Sequence, residues 1–232
     1  MNIFKTIARI LFFRFTCEEM GQLSTKHLAA GIAGTWLVGM GRYWDDPGAS
    51  VLQHLGLGSV IYIFVLAFLV WLIVKPLKVN GWNYTIVLTF ISLTSFPAIL
   101  YAIPVERFFP ITTANTINVW FLAVVAVWRL LLLYFFLKRF AGLVSGEVLT
   151  ITLMPICLII ATLTFLNLHR VVFNIMGGIR TQTAHDDSYM VLIVLTAGSV
   201  ILIGPLLIAY GVIIYLRNKK LKHIDKKPCQ LL

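Results

Sequence analysis

Five stretches of this chain are each long enough and apolar enough to cross a lipid bilayer as one helix. That feature restricts the fold more than any other. A hydrocarbon core about 30 Å thick takes about 20 residues of helix. Helix also satisfies every backbone N–H and C=O within the segment, where no water can do so. The stretches run approximately from Val51 to Val74, Tyr84 to Ile103, Ile117 to Leu137, Val148 to Leu168 and Tyr189 to Leu216. A sixth candidate, Leu28 to Tyr43, is shorter and carries Gly31, Gly34, Gly39 and Gly41. Its Ala30 and Gly34 form a small-xxx-small pair, which lets helix backbones approach closely in lipid. Only 12% of the 232 residues are charged, against about 25% in a soluble domain. A soluble enzyme, a disordered chain and a nucleic-acid reader are excluded. The fold class expected is all-α: a polytopic bundle of six transmembrane helices.

The basic residues set the expected orientation. With six crossings, Lys5, Arg9, Arg14, Lys26, Lys75, Lys78, Lys138, Arg139, Arg217, Lys219, Lys220, Lys222, Lys226 and Lys227 share one side. Arg42, Arg107, Arg170 and Arg180 fall on the other, and Arg129 lies within a span. Excess Lys and Arg marks the cytoplasmic side, so both termini are expected there. Dropping the short first span would move the basic N-terminus to the far side. A bacterial inner membrane is expected in preference to a eukaryotic endomembrane.

Residues 1–27 read as a cytoplasmic segment, 28–216 as the six-span domain and 217–232 as a polybasic cytoplasmic tail. On a helical wheel, Lys5, Arg9 and Thr16 share one face, with Asn2 and Thr6 beside it. Ile3, Ile7, Ile10 and Leu11 lie away from it. This pattern predicts a basic amphipathic helix over residues 2–20, lying in the headgroup layer. The tail would attract anionic lipid at about 1 kcal/mol per basic residue near the surface.

Arg129 is the one charged residue deep in a span, and it needs a partner or a route to water. It lies about 13 Å from the cytoplasmic end of its span at 1.5 Å per residue. Thr85, Thr89, Ser92 and Ser95 fall on one face of the preceding span. Thr89 and Ser92 reach a similar depth. Pro155 frees the carbonyl of Ile151 at that level. Arg129, Thr89 and Ser92 are therefore the expected intramembrane polar site. It is either an anion or headgroup site open to the cytoplasm, or a strut tying three helices. Pro97, Pro155 and Pro205 each sit within a span, where a proline kinks a helix.

On the opposite face, polar chemistry falls in three loops. They carry Asp45 and Asp46; Glu106 and Arg107; and His169, Arg170, His185 and Asp186. Carboxylate and imidazole are ordinary metal ligands and ordinary acid–base groups. The same residues also have plain structural roles. Tyr43 and Trp44 suit interfacial anchoring, Asp46-Pro47-Gly48 is turn chemistry, and Glu106-Arg107 suits a local ion pair. No metal is assigned and no cofactor is expected. Cys17, Cys157 and Cys229 are too few and too far apart for a disulfide framework or a CxxC site. HExxH, GxSxG and the P-loop are missing.

From Tyr84 to Ile160 the chain resembles the Yip family of multi-span membrane proteins. The segment Leu93-Thr94-Ser95-Phe96-Pro97, followed by Ala102-Ile103-Pro104, resembles that family's third span and its exit. Trp128 to Lys138, then Gly142-Leu143-Val144-Ser145-Gly146, then Met154-Pro155, resembles the next two spans and their link. The sixth span and the basic tail depart from the pattern. Eukaryotic members organise secretory membranes and contact small GTPases, so the resemblance implies a membrane organiser and supplies no catalytic residues.

The function expected is a non-enzymatic multi-span membrane protein acting through lipid or protein partners. Those partners are the bilayer itself, anionic lipids at the cytoplasmic face, and a second copy or another membrane protein meeting the Gly31/Gly34 face. No nucleic acid is expected. A small transporter or channel using the kinked spans and Arg129 is one alternative. A membrane enzyme or metal binder with an outward-facing His/Asp site is the other.

Overall fold

The computed structural model describes residues 2–44, 51–168 and 187–225. Among these residues the secondary structure is helical, with no strand. The elements in chain order are α1 (Ile3–Leu11), α2 (Cys17–Gly21), α3 (Thr25–Gly41), α4 (Val51–His54) and α5 (Leu57–Val74). They continue with α6 (Tyr84–Leu93), a 3₁₀ stretch (Phe96–Ala102), α7 (Ile111–Arg139), α8 (Ser145–Phe165) and α9 (Asp187–Asp225). Five segments are long and apolar enough to cross a membrane: Leu57–Leu77, Tyr84–Arg107, Thr112–Arg139, Ser145–Phe165 and Met190–Lys219. Helix α3 has 17 residues, a length of about 25 Å, which falls short of the hydrocarbon core.

The N-terminal segment is two helices rather than one. Phe13 takes a left-handed conformation at φ 59°, which ends α1. Thr16, expected on the polar face of a single helix, instead starts α2. Its hydroxyl accepts from the Glu19 N–H at 3.3 Å, and the Glu19 carboxylate accepts from the Thr16 N–H at 3.0 Å. This reciprocal pair satisfies two donors that a helix start would leave open. Arg9 folds α2 back on α1 through a 3.0 Å ion pair with Glu19. Thr6 and Ile10 are buried, while Phe4 and Phe12 are exposed.

Arg139, at the end of α7, holds the turn between the two short helices. Its guanidinium donates to the carbonyls of Phe13 at 2.6 Å and Phe15 at 3.0 Å. It also lies 5.1 Å from the ring centroids of both Phe15 and Phe135. The Trp128 indole N–H donates to the Leu11 carbonyl at 3.0 Å. Behind this contact runs a column of aromatic rings. Phe15 meets Phe90 edge-on at 5.9 Å, Phe90 stacks on Phe136 at 4.0 Å, and Phe136 stacks on Phe140 at 5.3 Å. Trp82 closes it against Phe136 and Phe140. The column joins α6, α7 and the N-terminal segment at one end of the bundle.

Helix α3 lies parallel to α6 and its 3₁₀ continuation. A Cβ at Gly31 would collide with Ser92, one at Gly34 with the Phe96 ring, and one at Gly41 would meet Ala102. The Thr35 hydroxyl donates to the Gly31 carbonyl at 2.8 Å and reaches the Ser92 carbonyl at 3.3 Å. The close face is thus Gly31, Gly34 and Thr35, and not the Ala30/Gly34 pair. It is occupied within the chain, which removes it as a surface for self-association.

The first long span is interrupted. One turn of helix at Val51–His54 stops before α5 begins at Leu57. Gly56 sits between them at φ 63°, where a Cβ would lie 2.6 Å from the Met40 nitrogen and 2.8 Å from the Trp36 carbonyl. Only glycine fits a left-handed residue pressed against another helix's backbone. The Trp36 indole donates to the Leu55 carbonyl at 2.8 Å and fixes the contact.

Pro97 explains why α6 ends at Leu93. Proline disfavours the α conformation in the residue before it and has no N–H to give the ladder. The chain tightens, and the Ser95 N–H turns to the Ser92 carbonyl at 3.2 Å. The Ile91 carbonyl is satisfied instead by the hydroxyls of Thr94 at 2.8 Å and Ser95 at 3.3 Å. Pro155 and Pro205, by contrast, lie inside continuous helices. Helix α9 has 39 residues and continues through the expected tail boundary at residue 217. It is tied to the bundle by the Tyr210 hydroxyl, which donates to the Ile73 carbonyl at 2.6 Å. An Arg217–Glu147 ion pair at 3.6 Å adds a second tie.

Candidate functional site

The hydroxyls expected around Arg129 have other partners. Thr89 donates to the Thr85 carbonyl at 2.7 Å, and Ser92 donates to the Thr89 carbonyl at 2.9 Å. Both bonds run back along α6, as hydroxyls within a helix commonly do. Ser92 also fills the α3 contact described above.

Arg129 reaches the other way. A long side chain on a helix leans toward that helix's N-terminus, and the N-terminus of α7 is at the end away from the aromatic column. Its guanidinium carbon lies 5.6 Å from the centroid of the Tyr62 ring on α5. Close by, Arg42 leaves the end of α3 and lies 4.6 Å from the Tyr101 ring centroid and 5.6 Å from that of Tyr43. Tyr101 connects the two halves. The 3₁₀ stretch that carries it packs against both α3 and α7. Four elements therefore converge: the end of α3, the second turn of α5, the 3₁₀ stretch and the middle of α7.

Two N–H groups of this cluster, Arg42 Nε and Arg129 Nη2, are buried and make no hydrogen bond among the described residues. The aromatic faces draw each cation electrostatically but offer no lone pair in the direction of these N–H groups. Arg42, Tyr62, Tyr101 and Arg129 are each partly exposed as residues, while the two unpaired N–H groups are themselves buried.

The loops at the same end are only partly described. Glu106 accepts from the Asn118 side-chain amide at 2.8 Å. Arg107 lies 4.7 Å from the Trp44 ring centroid, and the Trp44 indole donates to the Ala102 carbonyl at 2.9 Å. Asp45, Asp46, His169, Arg170, His185 and Asp186 lie outside the described residues. Among the described residues no three of His, Cys, Asp or Glu gather as a metal ion would require.

Sequence reasoning did not select Arg42, Tyr62 or Tyr101 for this cluster. The usable signal was the lean of helical side chains, which aims Arg129 at the level of Tyr62 and Tyr101. The chain matches no known protein family, no curated protein and no solved structure.

Proposed function

We propose that the chain is a non-enzymatic membrane organiser of the Yip type, acting through bound lipid. In this reading it crosses the bilayer six times and keeps both termini in the cytoplasm, in a bacterial inner membrane. The observation that carries the reading is the gathering of basic residues at one end of the helices. Arg139 holds the N-terminal segment there, with Arg9 beside it. Lys75 and Lys138 lie at the ends of α5 and α7 on the same side, and Arg217 meets the first turn of α8. Such a ring suits an anionic lipid surface. The parallel course of α3 and α6 supports α3 as the sixth crossing, since α6 with its 3₁₀ continuation belongs to one of the five long segments. Its shortness is offset by burial among protein neighbours.

The test is lipid preference. Protein purified in mild detergent is expected to retain phosphatidylglycerol over phosphatidylethanolamine in native mass spectrometry. Replacing Lys75, Lys78 and Lys138 together by Gln is expected to lower that preference about tenfold or more, at about 1 kcal/mol per basic residue. Equal retention of both lipids by the unaltered protein would contradict the proposal.

A further inference from the structure

Arg42 lies at the end of α3 opposite the basic ring and Arg129 leans toward that end from the middle of α7, so the ring does not account for them. We infer that Arg42 and Arg129, with the hydroxyls of Tyr62 and Tyr101, form a binding site for a phosphate-type oxyanion, namely the headgroup phosphate of an anionic lipid. The assignment of lipid as the source of that phosphate rests on the lipid-partner reading above.

Charge comes first. Two guanidiniums lie against neighbouring tyrosine rings, Arg42 at Tyr101 and Arg129 at Tyr62, and neither has an ion pair among the described residues. Arginine stays protonated in proteins, so the cluster cannot relieve itself by losing a proton. Charge that has no partner among the described residues is costly at this depth, and like charges repel. An anion between them removes both penalties.

Geometry selects the kind of anion. Arg42 Nε and Arg129 Nη2 are unpaired donors, and a guanidinium presents its donors as a planar fork matched to phosphate oxygens. The hydroxyls of Tyr62 and Tyr101, on the rings those guanidiniums meet, are the further donors of the proposed site. A group with several oxygens around one centre can accept from all of these at once, whereas a halide offers no such directed acceptors.

Position favours a lipid as the carrier. Tyr62 is five residues into α5, about 8 Å along the helix axis. That depth is close below the headgroup layer. Ile61, Val65 and Ile99, each within three residues of Tyr62 or Tyr101 along the chain, are exposed apolar side chains against which acyl chains can lie. A headgroup would approach from that side, and the partly exposed side chains over the two buried N–H groups would shift to receive it.

The experiment titrates the full-length protein in detergent with phosphatidylglycerol, and separately with inorganic phosphate, by native mass spectrometry. Carrying Lys75→Gln, Lys78→Gln and Lys138→Gln in every sample removes the competing basic ring. One phosphatidylglycerol per chain is expected to remain. Arg42→Gln or Arg129→Gln is expected to weaken it about tenfold or more, the scale of a lost charge-assisted bond. Arg42→Lys and Arg129→Lys keep the charge and lose the fork, so they report on the site if the Gln variants fail to fold. They should bind more weakly than arginine. Phosphate binding that depends on both arginines, with no lipid held, would support the oxyanion site and overturn its lipid source. Lipid held equally well by all the arginine variants would overturn the site and leave the lipid-partner reading standing. Loss of both ligands in this Lys→Gln parent would overturn the site, while the lipid preference of the unaltered protein decides the lipid-partner reading separately.

Discussion

Gly31→Ala is expected to cost about 3 kcal/mol of stability, from overpacking at a contact with no slack. The added methyl would overlap Ser92 and lie 3.2 Å from the Leu93 nitrogen. Ser92 cannot easily swing aside, because its hydroxyl is bonded to the Thr89 carbonyl and its carbonyl receives Thr35. The helices must separate, and separation also weakens the Thr35 bridge. Ser92→Gly should remove most of the overlap, so the double variant Gly31→Ala/Ser92→Gly should recover most of the loss. Coupling of this kind between neighbours is what a double-mutant cycle measures. Gly204→Ala is the control, since its added methyl meets nothing within 4 Å. Thermal unfolding in detergent checks all four proteins. Equal effects at Gly31 and Gly204 would contradict the α3–α6 packing.

Phe136→Ala is expected to be at least as damaging, costing about 3–5 kcal/mol as large-to-small changes in a packed core do. Phe136 is fully buried and is stacked between Phe90 and Phe140, with Trp82 at its edge. In lipid the loss comes from missing ring contacts more than from water exclusion, because lipid tails are as apolar as the side chain removed. The column ends on Phe15, so loosening it should also release the N-terminal segment. Trypsin cleavage at Arg9 and Arg14 in inside-out vesicles reads that release directly. The comparison is Trp120→Ala, which removes a larger ring from the exposed side of the same helix. It should leave stability within about 0.5 kcal/mol. Similar losses at Phe136 and Trp120 would contradict the packed column.

The long spans were legible in the sequence because their signal is additive. A run of about 20 apolar residues survives any detail of packing. Their ends were less legible. Helix α7 begins at Ile111 rather than Ile117, and α9 runs past Leu216 into Arg217-Asn218-Lys219. Lysine, arginine and leucine are good helix formers, so charge stops the span without stopping the helix. The N-terminal wheel placed Thr16 on a polar face, but the short-range bond between Thr16 and Glu19 outweighed periodicity. The Gly31/Gly34 face expected to meet a partner is a contact face, but it meets α6 and its 3₁₀ continuation within the same chain. Spacing shows that a helix can be approached closely but not by which neighbour.

The polar cluster was the least legible part. Arg42 and Tyr101 are joined by tertiary packing of α3 on the 3₁₀ stretch, which no local pattern encodes. The expectation for Arg129 used depth and left out direction. Thr89 and Ser92 sit at the right level but turn their hydroxyls back along their own helix.

The central claim is a six-crossing chain whose basic end faces the cytoplasm. Single cysteines placed in a background with Cys17, Cys157 and Cys229 replaced by Ser test it in intact cells. A cysteine at Thr112, near the start of α7, should react with a membrane-impermeant thiol reagent. Cysteines at Lys5, Lys78, Gly142 and Lys219 should react only after the membrane is opened. Labelling of the Lys5 and Lys219 positions from opposite sides would contradict the account.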